Sequence, residues 1–194
     1  MYVIEQVYRE AQFVEQQLAA IADCGERART AYAQHLRMFG YWAAALDNNP
    51  DAPRWLAQPP IAACIAEGIH WRDGWEYALS AYCIMPMHVH LVAKPLCDEQ
   101  GVPRALAAIM QSLKSRTGRR ANQLLGREGT FWQHESYDQA VRDDAELGRS
   151  IDYVIKNPVK AGLVAEPKDW PYTYCVGLTW GEVALRLTSG VPSC

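Results

Sequence analysis

The fold is decided by the stretch Met85-Pro86-Met87-His88-Val89-His90-Leu91-Val92, which carries two histidines one residue apart. Residues 88–95 predict a short strand that ends at a proline. Because side chains alternate across a strand, His88 and His90 are expected on one face and Val89 and Leu91 on the other. Two neutral imidazoles on one face suit a single divalent ion, although such a pair alone is more often structural.

The residues before and after this strand predict a second strand and a basic helix. Residues 75–85 are aromatic and poorly suited to a helical stripe, so they are expected to be extended. Pro103 can begin a helix, and between Arg104 and Arg127 six cationic residues occur with no acidic one. This run favours DNA binding, with a solvated helix face as the alternative. The DNA-binding candidates are Lys114, Arg116, Arg119 and Arg120.

A later helix is predicted from Asp144 to Asn157. Asp143 is a suitable N-cap and is followed three residues later by Glu146, as in a capping box. Pro158 restricts the residue before it, so the helix is expected to end by Asn157. Tyr153 and Asn157 are four residues apart and therefore project from nearly the same side, about 40° apart. Taken alone, either residue is more often structural than functional.

The composition limits the class of protein. The chain has 194 residues, of which 49% are hydrophobic and 21% charged, which is typical of a domain that buries its own core. No apolar run predicts a membrane span and no secretory signal is recognisable, so a cytoplasmic location without a membrane partner is expected. The net charge of −3 argues against coating nucleic acid through bulk charge. The six cysteines form no C-x-x-C pair and predict unpaired thiols.

The N-terminal part is predicted to be helical. From Glu5 to about Asp47 the apolar residues recur at helical spacing, and two helices are expected with a break near Cys24 and Gly25. A turn cluster follows at residues 48–53, and Pro59 opens a helix to about Gly68.

A tyrosine that attacks a DNA phosphate needs its charge offset and its position fixed, and a metal ion can supply both. Two imidazoles leave coordination positions open, and the amide oxygen of Asn157 is a hard donor compatible with Mg²⁺ or Mn²⁺. His88, His90 and Asn157 with Tyr153 would therefore form one site.

These residues resemble the HUH single-tyrosine transposases, and among them the REP-associated tyrosine transposases of bacteria. The similarity covers roughly residues 75–175. Residues 85–92 are similar to the family's metal-binding strand. Further matching segments follow in the family's order: Phe131-Trp132-Gln133, Tyr137-Asp138, Arg142-Asp143, Asp152-Tyr153, Asn157-Pro158-Val159-Lys160-Ala161-Gly162-Leu163-Val164 and Asp169-Trp170-Pro171-Tyr172.

The resemblance implies an α+β fold with a ferredoxin-like antiparallel sheet, an HUH metal strand and a separate helix that carries the tyrosine. It implies that His88, His90 and Asn157 bind Mg²⁺ or Mn²⁺. It also implies that Tyr153 cuts and rejoins single-stranded DNA, a hairpin-forming repeat, through a 5′-phosphotyrosine. The protein would be a monomer or a homodimer.

The chain departs from the family at two points. Met87 stands where the family commonly has asparagine, and the family's first strand is short or missing at residues 1–4. We expect one domain with a helical part at residues 1–72, the HUH core at 73–175 and a tail at 176–194.

Two other functions remain open at this stage. A hairpin-binding protein derived from a transposase would bind DNA without cutting it. A metal-dependent hydrolase of another class would use water instead of Tyr153.

Overall fold

The structure is a computed structural model that describes residues 52–134 and 136–178, together with Asp23, Glu26, Thr30 and Ala33. The chain divides into two compact units, Met1–Ala52 and Pro53–Cys194. In the first unit, Asp23 Oδ1 accepts a hydrogen bond of 2.6 Å from the backbone N–H of Glu26, and Glu26, Thr30 and Ala33 are helical. The rest of the predicted N-terminal helices, the short strand expected at residues 1–4 and the tail beyond residue 178 lie outside the described residues.

The second unit contains three helices and three strands in mixed order. Its sheet is antiparallel throughout, with the order β2-β1-β3. This confirms the predicted α+β class with an antiparallel sheet. The elements are Pro59–His70 (α1), Tyr77–Ile84 (β1), Val89–Pro95 (β2), Leu106–Leu125 (α2), Asp144–Lys160 (α3) and Thr173–Cys175 (β3), with short 3-10 turns at Trp55–Ala57 and Pro167–Asp169.

Each face of the sheet is covered by a different layer of helices. On one face, Val89, Leu91 and Ala93 of β2 pack with the apolar residues of α1 and α2. On the other face, Val92 packs with Val154 and Ile155 of α3 and with residues of β1. The predicted alternation along β2 is therefore confirmed, because its apolar residues face α1 and α2 while the opposite face meets α3.

A β-bulge at Ser80 changes the alternation of β1. Leu79 pairs with Ala93 and Ala81 pairs with Val92, so Ser80 is an extra residue on β1. Before the bulge, Tyr77 and Leu79 face α1 and α2, and after it Tyr82 and Ile84 do. One added residue reverses the side-chain phase, which is why no simple alternation is visible in residues 77–84.

Close packing joins α1 to α2 and includes a buried ion pair. Arg72, only 1% exposed, lies 3.1 Å from Glu76 through its Nε. Its two terminal nitrogens donate hydrogen bonds of 2.8 Å to the carbonyl of Gly68 and to Ser112 Oγ of α2. The guanidinium group thereby connects the end of α1 with α2, and these contacts offset part of the cost of burying its charge.

Gly68 lies where α1 and α2 approach each other, and Gly68→Ala is expected to lower the free energy of unfolding by about 1–3 kcal/mol. A Cβ atom there would overlap the Cγ2 methyl of Thr117. Thr117 cannot turn away easily, because its hydroxyl donates 2.7 Å to the Leu113 carbonyl and accepts 2.9 Å from Trp132 Nε1. Urea unfolding followed by circular dichroism measures the loss.

The matched control is Gly148→Ala in α3, where a Cβ atom would meet no atom within 4 Å. This change is expected to raise the free energy of unfolding by about 0.5–1 kcal/mol, because alanine loses less backbone entropy in a helix. Thr117→Ser removes the overlapping methyl group and should restore most of the stability of Gly68→Ala. Equal stability of Gly68→Ala and the unaltered chain would contradict the predicted overlap.

The predicted end of α3 at Asn157 is wrong, since the helix continues through Pro158 to Lys160. Proline lacks only its own N–H donor, so one missing hydrogen bond near a helix end is tolerated. The following turn is closed by backbone bonds from Ala161 to Asn157 and from Leu163 to Pro158, both of 2.9 Å. Asn157 and Pro158 are both buried as a result. Among the described residues, no helix is long and apolar enough to cross a membrane.

Candidate functional site

The tight turn between β1 and β2 brings the two histidines together. Its backbone is closed by a hydrogen bond of 2.8 Å from Met85 N–H to the His88 carbonyl. The Nε2 atoms of His88 and His90 are 2.9 Å apart, and the two rings meet edge to face with centroids separated by 4.6 Å. Both imidazoles therefore converge on one point of the sheet face that α3 covers.

Burial keeps both imidazoles uncharged. It lowers the pKa of His88 to about 4. Burial, followed by repulsion from His88, lowers the pKa of His90 to about 3. The neutral ring is the form that can donate a nitrogen lone pair to a metal ion, so the protonation state suits coordination.

The start of α3 is fixed by the predicted cap. Asp143 Oδ1 accepts a hydrogen bond of 2.7 Å from Glu146 N–H. The carboxylate of Glu146 is buried and accepts a bond of 2.7 Å from the backbone N–H of Arg142, one residue before the position expected in a capping box. With both ends of the first turn held, the helix presents Tyr153 and Asn157 to the sheet in a defined orientation.

Asn157 reaches the histidine pair from α3. Its side chain is buried, with the residue 3% exposed. The amide is close enough to the His90 ring to oppose part of the lowering of the His90 pKa. Its Oδ1 atom nevertheless accepts no well-aligned hydrogen bond from any residue that the structure describes. A buried acceptor in this state costs roughly 1–3 kcal/mol, and such groups concentrate at functional sites.

Tyr153 and Lys160 complete the cluster on the same helix. The Tyr153 ring lies edge to face with His90, with centroids 5.6 Å apart. Lys160 Nζ lies 4.3 Å from the centroid of the Tyr153 ring. Lys160 also adds to the lowering of the His90 pKa through its charge. The structure thus brings together His88, His90, Asn157 and Tyr153 and adds Lys160, which was quoted in a motif but not singled out as a site residue.

The donor set fits a divalent ion of the magnesium type. Two ligands held at right angles, each about 2.1 Å from such an ion, are about 3.0 Å apart. The 2.9 Å between the histidine Nε2 atoms matches this spacing. The buried Oδ1 of Asn157 is an oxygen donor in need of a partner. Among the described residues no group of three or more His, Cys, Asp and Glu could hold a metal, so Asn157 would have to complete the set.

Comparisons with known proteins agree with this cluster. No established family profile matches the chain. A Haemophilus influenzae protein, provisionally named a REP-associated tyrosine transposase, is 31% identical over 106 residues, covering 52% of this chain and 60% of that protein. The REP-associated tyrosine transposase of Escherichia coli is 24% identical over 98 residues, covering 50% of this chain and 53% of that protein.

The chain is a relative of the REP-associated tyrosine transposases. It matches 60% and 53% of the lengths of these two curated relatives. A solved structure of a REP-associated tyrosine transposase bound to a REP hairpin matches with a TM-score of 0.48 and 21% identity, over 65% of this chain and 70% of that one.

The four basic candidates of this transposase relative do not share one surface. At about 100° per residue, Arg116, Arg119 and Arg120 span about 100° of the circumference of α2, whereas Lys114 lies about 160° from Arg116. Lys114 Nζ donates hydrogen bonds of 2.9 and 3.1 Å to the carbonyls of Gln133 and His134. Arg116 lies over the Trp71 ring, 4.4 Å from its centroid.

The aromatic residues of the transposase motif near residue 131 belong to the packing of α2. Trp132 donates a hydrogen bond to Thr117, and its ring lies close to the backbone of Gly118. Phe131 stacks on Trp55 with centroids 5.5 Å apart. The sequence interpretation that these aromatics are core residues agrees with these contacts. The residues it overlooked are Trp71 and Trp75, which are exposed on the α1–α2 layer.

Proposed function

We propose that this chain cuts and rejoins single-stranded DNA at hairpin-forming repeats, with Tyr153 as the nucleophile. The observation that carries the proposal is the convergence of His88, His90 and Asn157 beside Tyr153. Two curated relatives are named as REP-associated tyrosine transposases, which supports transposase-type chemistry and a repeat DNA as substrate.

The histidines and Asn157 would hold the ion and leave its remaining positions open to the substrate. Mg²⁺ or Mn²⁺ bound there would offset the negative charge of a DNA phosphate and help to orient it. The near-apolar surroundings of the site strengthen such electrostatic effects, because water screens them less. Glu146 and Asp143 fix α3, and with it the direction from which Tyr153 approaches.

Tyr153 would act through its phenolic oxygen. The oxygen gives up its proton to solvent and bonds to phosphorus, while the bond between phosphorus and the 3′ oxygen breaks. The 3′ oxygen takes up a proton, so the products are a free 3′-hydroxyl and a 5′-phosphotyrosine. In rejoining, a 3′-hydroxyl attacks the phosphorus, the bond to Tyr153 breaks and the phenol regains its proton. The charge of Lys160 beside the ring can stabilise the negative charge that develops on the phenolic oxygen.

The proposal predicts a metal-dependent covalent adduct of defined polarity. The full chain is incubated with a single-stranded hairpin oligonucleotide that is labelled at either end, with Mn²⁺ or with chelator, and then denatured. A 3′ label is expected to move with the protein, because the tyrosine keeps the 3′ fragment through its 5′-phosphate. A 5′ label is expected on a shorter free strand that ends in a 3′-hydroxyl. Chelator should remove both products.

Two outcomes would contradict the proposal in different ways. Tight binding without an adduct over a range of hairpins would favour a DNA-binding protein that does not cut. Metal-dependent cutting without an adduct, with a free 5′-phosphate on the 3′ fragment, would favour a hydrolase in which water is the nucleophile. Both alternatives were left open by the sequence, and the end label that moves with the protein separates them.

A further inference from the structure

We propose that Trp71 and Trp75, with the arginines beside them, form a second DNA contact that stacks an unpaired base. This surface, here called the tryptophan patch, also includes Arg104, Arg116, Arg119 and Arg120. It belongs to the α1–α2 layer, whereas Tyr153 belongs to the α3 layer on the other face of the sheet. The inference rests on the proposed function only in taking single-stranded DNA as the partner.

The two tryptophans are exposed and yet held in place. Trp71 is 50% exposed and Trp75 is 44% exposed, although large aromatic side chains are usually much more buried. Their rings meet edge to face with centroids 4.9 Å apart. Trp75 Nε1 also donates a hydrogen bond of 2.6 Å to the Trp71 carbonyl. Since the rings are already ordered, binding a ligand on them loses little conformational entropy.

Cations surround this aromatic pair. The Arg116 guanidinium lies 4.4 Å from the centroid of the Trp71 ring. Arg104 Nε donates a hydrogen bond of 3.1 Å to the Trp75 carbonyl. Arg119 and Arg120 follow Arg116 on the same flank of α2 and are exposed. The tryptophan patch therefore combines flat aromatic surface with several donors for phosphate.

The local charge has the opposite sign to that of the whole chain. Four arginines stand in the tryptophan patch, and the acidic residues next to the tryptophans are Glu67, one turn before Trp71, and Asp73 between the two rings in sequence. Four positive charges minus two negative charges leave +2, against −3 for the chain. Asp73 Oδ1 is engaged by the backbone N–H of Leu79 at 2.8 Å. A polyanion is thus the partner whose charge the patch complements.

Chemistry narrows the polyanion to one with unpaired bases. In a fully paired duplex the bases stack on each other, so a tryptophan ring would contact only phosphates and sugars. Single strands expose base faces, and a base stacked on an aromatic side chain typically contributes about 1–3 kcal/mol, with phosphates bound by nearby cations. Rigid aromatic rings with arginines beside them suit this combination.

The test compares leucine with phenylalanine at both tryptophans. Tyr153→Phe in chelator serves as the parent, so that only reversible binding is measured. Trp71→Leu/Trp75→Leu removes the aromatic faces, whereas Trp71→Phe/Trp75→Phe keeps them and loses the same Nε1 hydrogen bond. The probes are a hairpin oligonucleotide with a short unpaired tail and the same hairpin with blunt ends. Affinity is measured by fluorescence anisotropy at fixed salt.

The parent is expected to bind the tailed hairpin more tightly than the blunt one. The leucine variant should lose about tenfold in affinity for the tailed hairpin and little for the blunt hairpin, and the phenylalanine variant should keep most of the parent's affinity. Arg116→Gln should weaken both complexes and lower the slope of log affinity against log salt by about one. Unfolding midpoints of the leucine and phenylalanine variants should agree, which separates lost stacking from lost folding.

Equal affinity of the parent and the leucine variant for the tailed hairpin would overturn the inference while leaving the proposed cleavage intact. An adduct-free protein whose binding still depends on the tryptophans would support the patch and overturn the proposed cleavage. A parent that binds neither hairpin would overturn both.

Discussion

Tyr153→Phe is expected to abolish the covalent protein–DNA adduct, with a loss of at least about 10³-fold in the rate of its formation. The change removes only the phenolic oxygen, which is the atom proposed to bond to phosphorus. The ring that meets His90 and lies beneath Lys160 is retained, so folding and reversible DNA binding should be preserved. Adduct formation is followed by denaturing gel with a 3′-labelled hairpin and Mn²⁺.

Tyr174→Phe is the matched control for this substitution. Tyr174 lies on β3 and stacks with Tyr82 in the cluster on the other face of the sheet. Its phenylalanine variant should form the adduct at the rate of the unaltered chain. If the Tyr153 variant still became labelled while the Tyr174 variant did not, the nucleophile would have been assigned to the wrong face of the sheet.

Asn157→Leu is expected to separate stability from metal binding. Leucine has the branching of asparagine without polar atoms, so it removes a buried acceptor that lacks a well-aligned hydrogen bond. In chelator, the free energy of unfolding should therefore stay the same or rise by about 1 kcal/mol. The affinity for Mn²⁺ should fall by at least about 100-fold, since even the loss of a residue supporting a ligand costs 10–100-fold.

The measurement is thermal unfolding with and without Mn²⁺. An ion present at about 100 times its dissociation constant adds about 2.7 kcal/mol, which is a rise of roughly 5–10 °C in Tm for a unit of this size. The unaltered chain should show this rise and Asn157→Leu should not. Asn157→Asp keeps an oxygen donor and should retain most of it. A variant Asn157→Leu that is clearly less stable in chelator and keeps the Mn²⁺ shift would mark Asn157 as structural.

The histidine pair could be predicted from sequence because it depends on local geometry. Alternation along a strand is enough to put His88 and His90 on one face once the apolar residues between and after them are known. The capping residue of α3 could be predicted for the same reason, since Asp143 and Glu146 interact within a single turn.

The end of α3 and the depth of Asn157 could not be predicted in this way. A proline usually marks the end of a helix, but here the turn after Pro158 is closed by other backbone hydrogen bonds. Whether that turn forms depends on packing against the sheet, which a local pattern does not contain. The burial of Arg72 likewise depends on Ser112, which is 40 residues away along the chain.

The basic run shows a further limit of sequence patterns. Counting cations from Arg104 to Arg127 identified a positively charged helix, but it gave no direction to the individual side chains. The positions around α2 separate Lys114 from Arg116, Arg119 and Arg120. The contact of Arg116 with Trp71 joins residues from two helices, and no motif in either helix indicates it.

The bulge at Ser80 has a consequence for how this fold can vary between relatives. It divides β1 into a first part, in which Tyr77 donates a hydrogen bond to the Ile69 carbonyl at the end of α1, and a second part that pairs with the histidine strand. Because the side-chain phase is reset between them, a residue gained or lost at Ser80 rotates only one part relative to its helices. Elsewhere in β1 the same insertion or deletion would turn the neighbours of His90 inside out. Length differences among relatives should therefore be tolerated at this position and absent from the rest of the strand.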